Sequence, residues 1–226
     1  MNKKGKLIVI CGTDGSGKGT QTKILVERLE KENVKVKMFD FPRYGEKSAG
    51  MVEEYLNGKL GTANEVGPYR GSIFYAIDRY AASFEMKKLM NEGYNIICNR
   101  YTSANKGHQA GKISDEKERD KYLDWENDLE YNIFEIPEED MNIFLYVDPE
   151  ISQKLVDNKE QRSYTDKKRD IHEADLEHLK NAAKAYQYVA EKENWEIINC
   201  VKNNQIITIE EIHELIWEKV KKELEI

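Results

Sequence analysis

Short apolar, β-branched runs recur along the chain at residues 7–11, 34–39, 95–99, 142–147 and 195–200. Between them lie longer stretches whose apolar positions fall three and four residues apart. The runs have strand length and the stretches helix length, so the pattern predicts five strands alternating with amphipathic helices. Punctuation fixes several boundaries. A glycine-rich turn precedes a helical stretch over 18–32. Pro68 opens a helix that runs to residue 91 and is stopped by Gly93. Asp148-Pro149 reads as an N-cap and first helical residue, and Thr208 and Glu211 stand at capping-box spacing before the last helix. Strands alternating with helices imply βαβ units, hence an α/β fold of three layers with a five-stranded parallel sheet covered on both faces. The chain carries neither a repeat nor a low-complexity linker, and its length suits one domain over 1–226. Residues 157–170, DNKEQRSYTDKKRD, lack an apolar stripe; that composition suits a mobile lid joining two helical patterns.

Charge narrows the partners. Charged residues make up 34% of the chain, yet the net charge is −7, whereas nucleic-acid binders are usually basic, so no nucleic-acid partner is expected. Local Lys and Arg clusters remain suited to a small anion. Cys11, Cys98 and Cys200 each lie in or at the end of an apolar run, at spacings that fit neither a metal site nor a disulfide framework, and read as small buried hydrophobes. The opening MNKKGKLIVICG has too short an apolar stretch for a secretory signal, and no run approaches the ~20 apolar residues of a membrane span. A cytoplasmic protein with no membrane partner is expected.

The densest chemistry lies at LIVICGTDGSGKGT, which reads strand, glycine-rich turn, helix. Gly12, Gly15, Gly17 and Gly19 let backbone N–H groups curl around an anion, and the helix start adds the positive end of its dipole. Gly12-x-x-x-x-Gly17-Lys18 places Lys18 to reach the β- and γ-phosphates of a nucleotide. Thr13, Asp14, Ser16 and Thr20 complete the loop. The strict motif wants Ser or Thr directly after the lysine; here Gly19 intervenes and Thr20 follows. Such a P-loop names a nucleotide and not a reaction, since kinases, GTP switches and motor ATPases all carry one.

The other motifs concern an acceptor. Phe41, Pro42, Arg43 and Tyr44 follow the second strand, at the end of a sheet where α/β proteins bind ligands, and a guanidinium there can grip a phosphate bidentately. Tyr75 and Arg79, four apart, share one face of the long helix. An aromatic ring and a guanidinium on that face suit a flat base; they equally suit a core aromatic beside an ion-paired arginine. Arg100 ends the third strand after Asn99, near the P-loop, and Asn105 offers both a donor and an acceptor to a pyrimidine imide edge.

Taken in order, the GTDGSGKGTQ loop, the FPRY turn, the YAIDR helix face, the RY turn after strand three and the polar segment leading into DIHEADLEHL resemble bacterial thymidylate kinases from end to end. The resemblance implies a P-loop kinase fold, ATP as phosphoryl donor with Mg²⁺, dTMP as acceptor, and a homodimer formed through the long helices. By similarity, Asp14 holds the 3′-hydroxyl of dTMP, Arg43 and Arg100 grip its phosphate with Phe41 and Tyr44 nearby, Tyr75 stacks on thymine, Arg79 meets O4 and Asn105 faces N3. His108 falls near the sugar. Some family branches carry an arginine inside the P-loop; here Gly15 stands there, which moves the transition-state cation to the lid, with Arg162 and Arg169 as candidates. Asp170 and Glu173 fit as caps of the following helix. The adenine contacts are placed after the last strand, at Asn203 and Asn204. Thr20 and residue 99 are the metal-side positions, and here the chain departs from the usual Asp-Arg-Tyr. Asn99 keeps the shape and loses the charge, so an Asn99→Asp variant is expected to hold Mg²⁺ more tightly or turn over faster. Other nucleotide kinases compete with this reading, including a deoxynucleoside kinase using Asp40 as base, as does a non-catalytic nucleotide-binding homologue. A GTP switch lacks support, because Asn105-Lys106 is followed by Gly107-His108.

Overall fold

The structure is a computed structural model that describes residues 4–152 and 176–226. Five strands form one parallel sheet: β1 (Leu7–Cys11), β2 (Val36–Asp40), β3 (Asn95–Asn99), β4 (Met141–Tyr146) and β5 (Glu196–Asn199). Their spatial order is β2-β3-β1-β4-β5. Helices α1 (Lys18–Lys31), α2 (Gly50–Leu56), α3 (Ala63–Asn91), α4 (Thr102–His108), α5 (Glu116–Asn127), α6 (Leu176–Lys192) and α7 (Ile209–Leu224) pack around the sheet, residues 149–152 are also helical, and a π-helical turn over Asp128–Ile133 extends α5. Two short antiparallel strands, β6 (Val201–Lys202) and β7 (Gln205–Ile206), form a hairpin before α7.

Every residue of β1 is buried, as expected of a central parallel strand covered on both faces. Period-two alternation sorts its side chains between two cores. Leu7, Val9 and Cys11 face the side packed by Met86 and Met90 of α3 and Tyr186 and Val189 of α6. Ile8 and Ile10 face Leu25 and Leu29 of α1 and Ile212, Ile216 and Val220 of α7. Burying a leucine contributes about 2 kcal/mol, so truncating Leu25 to alanine should cost about 2–5 kcal/mol once the cavity is included.

Two strands start later than the apolar runs predict, for one reason. Asn33 and Asn194 adopt left-handed φ of 60° and 55° at the ends of α1 and α6. The following residue then closes its helix: Val34 N–H donates to Leu29 O at 2.9 Å, and Trp195 N–H to Ala190 O at 2.8 Å. Helix capping thus takes the first apolar residue from the strand. The long helix also begins before Pro68, at Ala63. Thr62 and Glu65 form a capping box, Gly67 interrupts the turn at φ 74°, and Pro68 restarts it. The expected start after Asp148 is present, with Glu150 N–H donating to Asp148 Oδ1 at 2.9 Å.

Candidate functional site

The C-terminal ends of β1, β2 and β3 open into one cleft of about 860 Å³. It runs from the P-loop past Tyr75 and Asn105 on one side and reaches Ile206–Ile209 and Ile212 on the other. The P-loop curls through left-handed glycines at 12, 15 and 17, with φ of 148°, 85° and 81°. Gly17 is the N-cap of α1 and brings no capping side chain, so an anion can take that role. Lys18 Nζ donates to Thr13 O and to Asp14 Oδ1, both at 3.2 Å. Gly15 has no room for a side chain: a Cβ there would lie 2.3 Å from Ser152 O.

Arg100 ties the loop to the acceptor side. Its backbone holds φ 63°, and its N–H donates to Ile10 O at 3.0 Å. Its guanidinium is ion-paired with Asp14, and Nη1 lies 2.9 Å from His108 Nε2. His108 in turn stacks on His178 of α6, ring centroids 5.7 Å apart. That approach depends on Gly107, where a Cβ would fall 2.2 Å from the ring of Tyr186.

The remaining expected residues divide. Phe41, Tyr44, Tyr75, Arg79 and Asn105 line the cleft. Arg43 lies beside it and is not among the lining residues. A cis peptide bond joins Phe41 to Pro42. Arg43 then donates to Asp78 from its backbone N–H at 2.8 Å and from Nε at 3.0 Å, and from Nη2 to Ser48 Oγ at 2.9 Å. Arg162, Arg169, Asp170 and Glu173 lie outside the described residues. Asn203 and Asn204 are not at the cleft as expected; they form the left-handed tip of the β6–β7 hairpin, with φ of 53° and 58°. The wall on that side is apolar instead, built from Ile206, Ile207, Ile209 and Ile212, with Gln21 Nε2 donating to Ile209 O at 2.8 Å.

Arg79 takes the ion-paired position on its helix face and also lines the cleft. It is 1% exposed and paired with Glu130, with Nε donating to Oε1 at 2.9 Å, and it still reaches the cleft lining. Glu126 lies 3.6 Å from the same guanidinium. Asn105 Nδ2 donates to Glu126 Oε1 at 2.8 Å and to Ser72 O at 3.2 Å, which leaves its carbonyl Oδ1 as the group offered to a ligand. Burial, reinforced by Glu130, pushes the Glu126 carboxyl up to about 8. The sequence reading missed Asp78, Glu126 and Glu130. Tyr122, Glu126 and Glu130 do recur at helical spacing, but among so many acidic neighbours they look like a solvated face.

Oxygen donors suited to Mg²⁺ sit at the P-loop end of the cleft. They are the exposed Thr20, the carboxylate of Asp40, and Asn99, whose buried Oδ1 has no hydrogen-bond partner among the described residues. The described residues contain no cluster of three or more Asp, Glu, His or Cys side chains placed to hold a metal. This sparse set fits Mg²⁺, which takes one or two carboxylates and fills its shell with water and phosphate oxygens.

The sequence profile described as thymidylate kinase matches residues 10–216. Thymidylate kinase of Plasmodium falciparum is 28% identical over 220 residues, covering 97% of this chain and 91% of that protein. The Mycobacterium tuberculosis (strain ATCC 25618 / H37Rv) enzyme of the same name is 29% identical over 187 residues, covering 81% and 85%. A solved structure of thymidylate kinase from Candida albicans matches with a TM-score of 0.74 at 22% identity, over 97% of this chain and 92% of that one, a likeness of fold.

Proposed function

The chain belongs to the thymidylate kinase family and is a phosphotransferase acting on dTMP with ATP as donor, and we propose that its cleft holds the two nucleotides end to end across the Asp14–Arg100 pair. One observation carries this reading: a single cleft joins the phosphate cradle to the paired base-side groups Arg79 and Asn105. Asn105 offers a carbonyl, the partner that the N3–H of thymine needs, and Arg79 offers a donor for O4. Tyr75 stacks on the ring, and Asp14 and His108 flank the sugar. Gly12, Thr13, Gly15, Ser16, Gly17 and Gly19 surround the ATP phosphates, and the isoleucine wall receives adenine.

The acceptor oxygen belongs to a phosphate whose second pKa is ~6, so it is already anionic and needs no general base. The protein's contribution is alignment and fixed positive charge. Lys18 faces the donor phosphates, while Arg100 and Arg43 orient the acceptor. Because Gly15 leaves no space for a P-loop side chain, the further cation is assigned to Arg162 or Arg169. Thr20, Asp40 and Asn99 are the groups that would hold Mg²⁺ and its waters, and the ion would supply neutralisation of phosphate charge.

Purified protein with ATP and Mg²⁺ should release ADP fastest with dTMP among dTMP, dUMP, UMP, CMP, AMP, GMP and thymidine. Faster release with AMP or thymidine would refute the acceptor site. We further propose a cytoplasmic homodimer joined through α3, where Tyr69, Ile73, Ile77, Tyr80 and Phe84 form an exposed apolar stripe and Phe84 is 62% exposed. Phe84→Glu should convert dimer to monomer in sedimentation, and a wild-type monomer would sink that reading. None of the described helices is long and apolar enough to cross a membrane.

A further inference from the structure

We propose that Asp40, at the end of β2, supplies the carboxylate that orients the Mg²⁺ shell in this protein, held in place by Asn99. The inference rests on the reading of the cleft as a metal–nucleotide site. The β2–β3 register pairs Asp40 with Asn99, so the two side chains leave the sheet side by side at its ligand-binding edge. Asn99 Nδ2 donates to Asp40 Oδ1 at 2.7 Å. That bond fixes the carboxamide, because the opposite flip would set its oxygen against a carboxylate. Asp40 is exposed into the cleft, beside Lys18, Gly19 and Thr20 of the P-loop. The positive groups acting on it are Arg100, Lys18 and Lys23, so its charge faces the phosphate end of the cleft and not bulk solvent alone.

An aspartate at 99, the residue expected there, would place two carboxylates at hydrogen-bond distance, where like charges repel. The pair instead carries one carboxylate and one amide. The negative charge missing from residue 99 has moved to the neighbouring strand, and Asn99 has become the residue that positions it. The amide at 99 is therefore a rearrangement of the site and not its loss.

Mn²⁺ serves as the probe, titrated into the full chain with ADP and followed by the electron paramagnetic resonance signal of free Mn²⁺. Asp40→Asn should weaken Mn²⁺ binding in the ADP complex about tenfold, in the range seen for residues that tune a metal shell. Affinity for metal-free ADP should not fall, since the lost charge only repels bare phosphates, and that separates metal loss from misfolding. The exchanged pair, Asp40→Asn with Asn99→Asp, should recover Mn²⁺ affinity to within about threefold. Wild-type Mn²⁺ affinity in Asp40→Asn would overturn the proposal, and so would an exchanged pair as weak as the single variant. Wild-type ADP release measured alongside tells the two failures apart. If dTMP stimulates release while Asp40→Asn binds Mn²⁺ normally, only the role of Asp40 falls. If dTMP stimulates nothing, the reading of the cleft falls with it.

Discussion

Glu126 offers a test in which stability and substrate recognition separate. It is fully buried against Arg79 and Glu130, and one guanidinium faces two carboxylates. Its carboxyl is raised from 4.5 to about 8, first by burial and then by Glu130. The folded chain therefore keeps a proton that the unfolded chain releases. Stability is unaffected below the unfolded pKa and falls as pH rises through the window from 4.5 to about 8. Each pH unit inside that window costs about 1.4 kcal/mol, so wild type should lose about 2 kcal/mol from this group between pH 6 and 8. Glu126→Gln cannot ionise, yet it keeps an oxygen to accept from Asn105 and gains an N–H to give to Glu130. Its stability advantage should thus grow by about 2 kcal/mol from pH 6 to pH 8, a widening of about 4–8 °C in Tm for a domain of this size. Melts of both proteins by circular dichroism at the two pH values measure the gap. The dTMP KM of the glutamine variant should stay within about twofold, whereas Glu126→Leu, which removes the acceptor for Asn105, should raise it about tenfold. A gap that does not change with pH would refute the protonated carboxyl. An increase in KM for the glutamine variant would refute the positioning of Asn105.

Two further substitutions probe the loops. Asp78→Asn removes the charge that holds Arg43 by its backbone and Nε. It should cost about 2 kcal/mol in urea unfolding and raise the dTMP KM without moving the ATP KM; an unchanged dTMP KM would leave Arg43 only a structural role. Gly15→Ala places a Cβ 2.3 Å from Ser152 O at a φ of 85°. It should destabilise the protein by about 1–3 kcal/mol and weaken ATP binding in calorimetry, and normal affinity would show that the loop adapts.

The sheet and the cradle were legible because both are local signals. Strand runs such as LIVIC and NIICN need only their own residues to be read, and GTDGSGKGT announces its turn through glycine alone. Boundaries slipped where Asn33 and Asn194 capped helices with a residue that otherwise looks like strand. The partners of the expected side chains were not legible, because they depend on register and packing between distant segments. Nothing in the chain order pairs Asp40 with Asn99, Asp78 with Arg43, or Glu126 with Asn105. The apolar wall at 206–212 stayed hidden for a related reason. Polar Asn203 and Asn204 drew the adenine assignment, yet their left-handed turn is what carries them to the hairpin tip and leaves the isoleucines facing the cleft.

The strand order has a consequence for how the enzyme comes into being. β1, which carries the P-loop, pairs with β3 and β4 and has no neighbour close in sequence: Leu7 meets Ile96, and Ile8 meets Met141. On a nascent chain the glycine loop leaves the ribosome before both strands that flank β1, and the sheet that backs it is incomplete until Tyr146 has followed. The cradle is therefore made early and becomes a cradle late. Until then the apolar β1 must wait without partners, as a segment in need of protection from association with other chains.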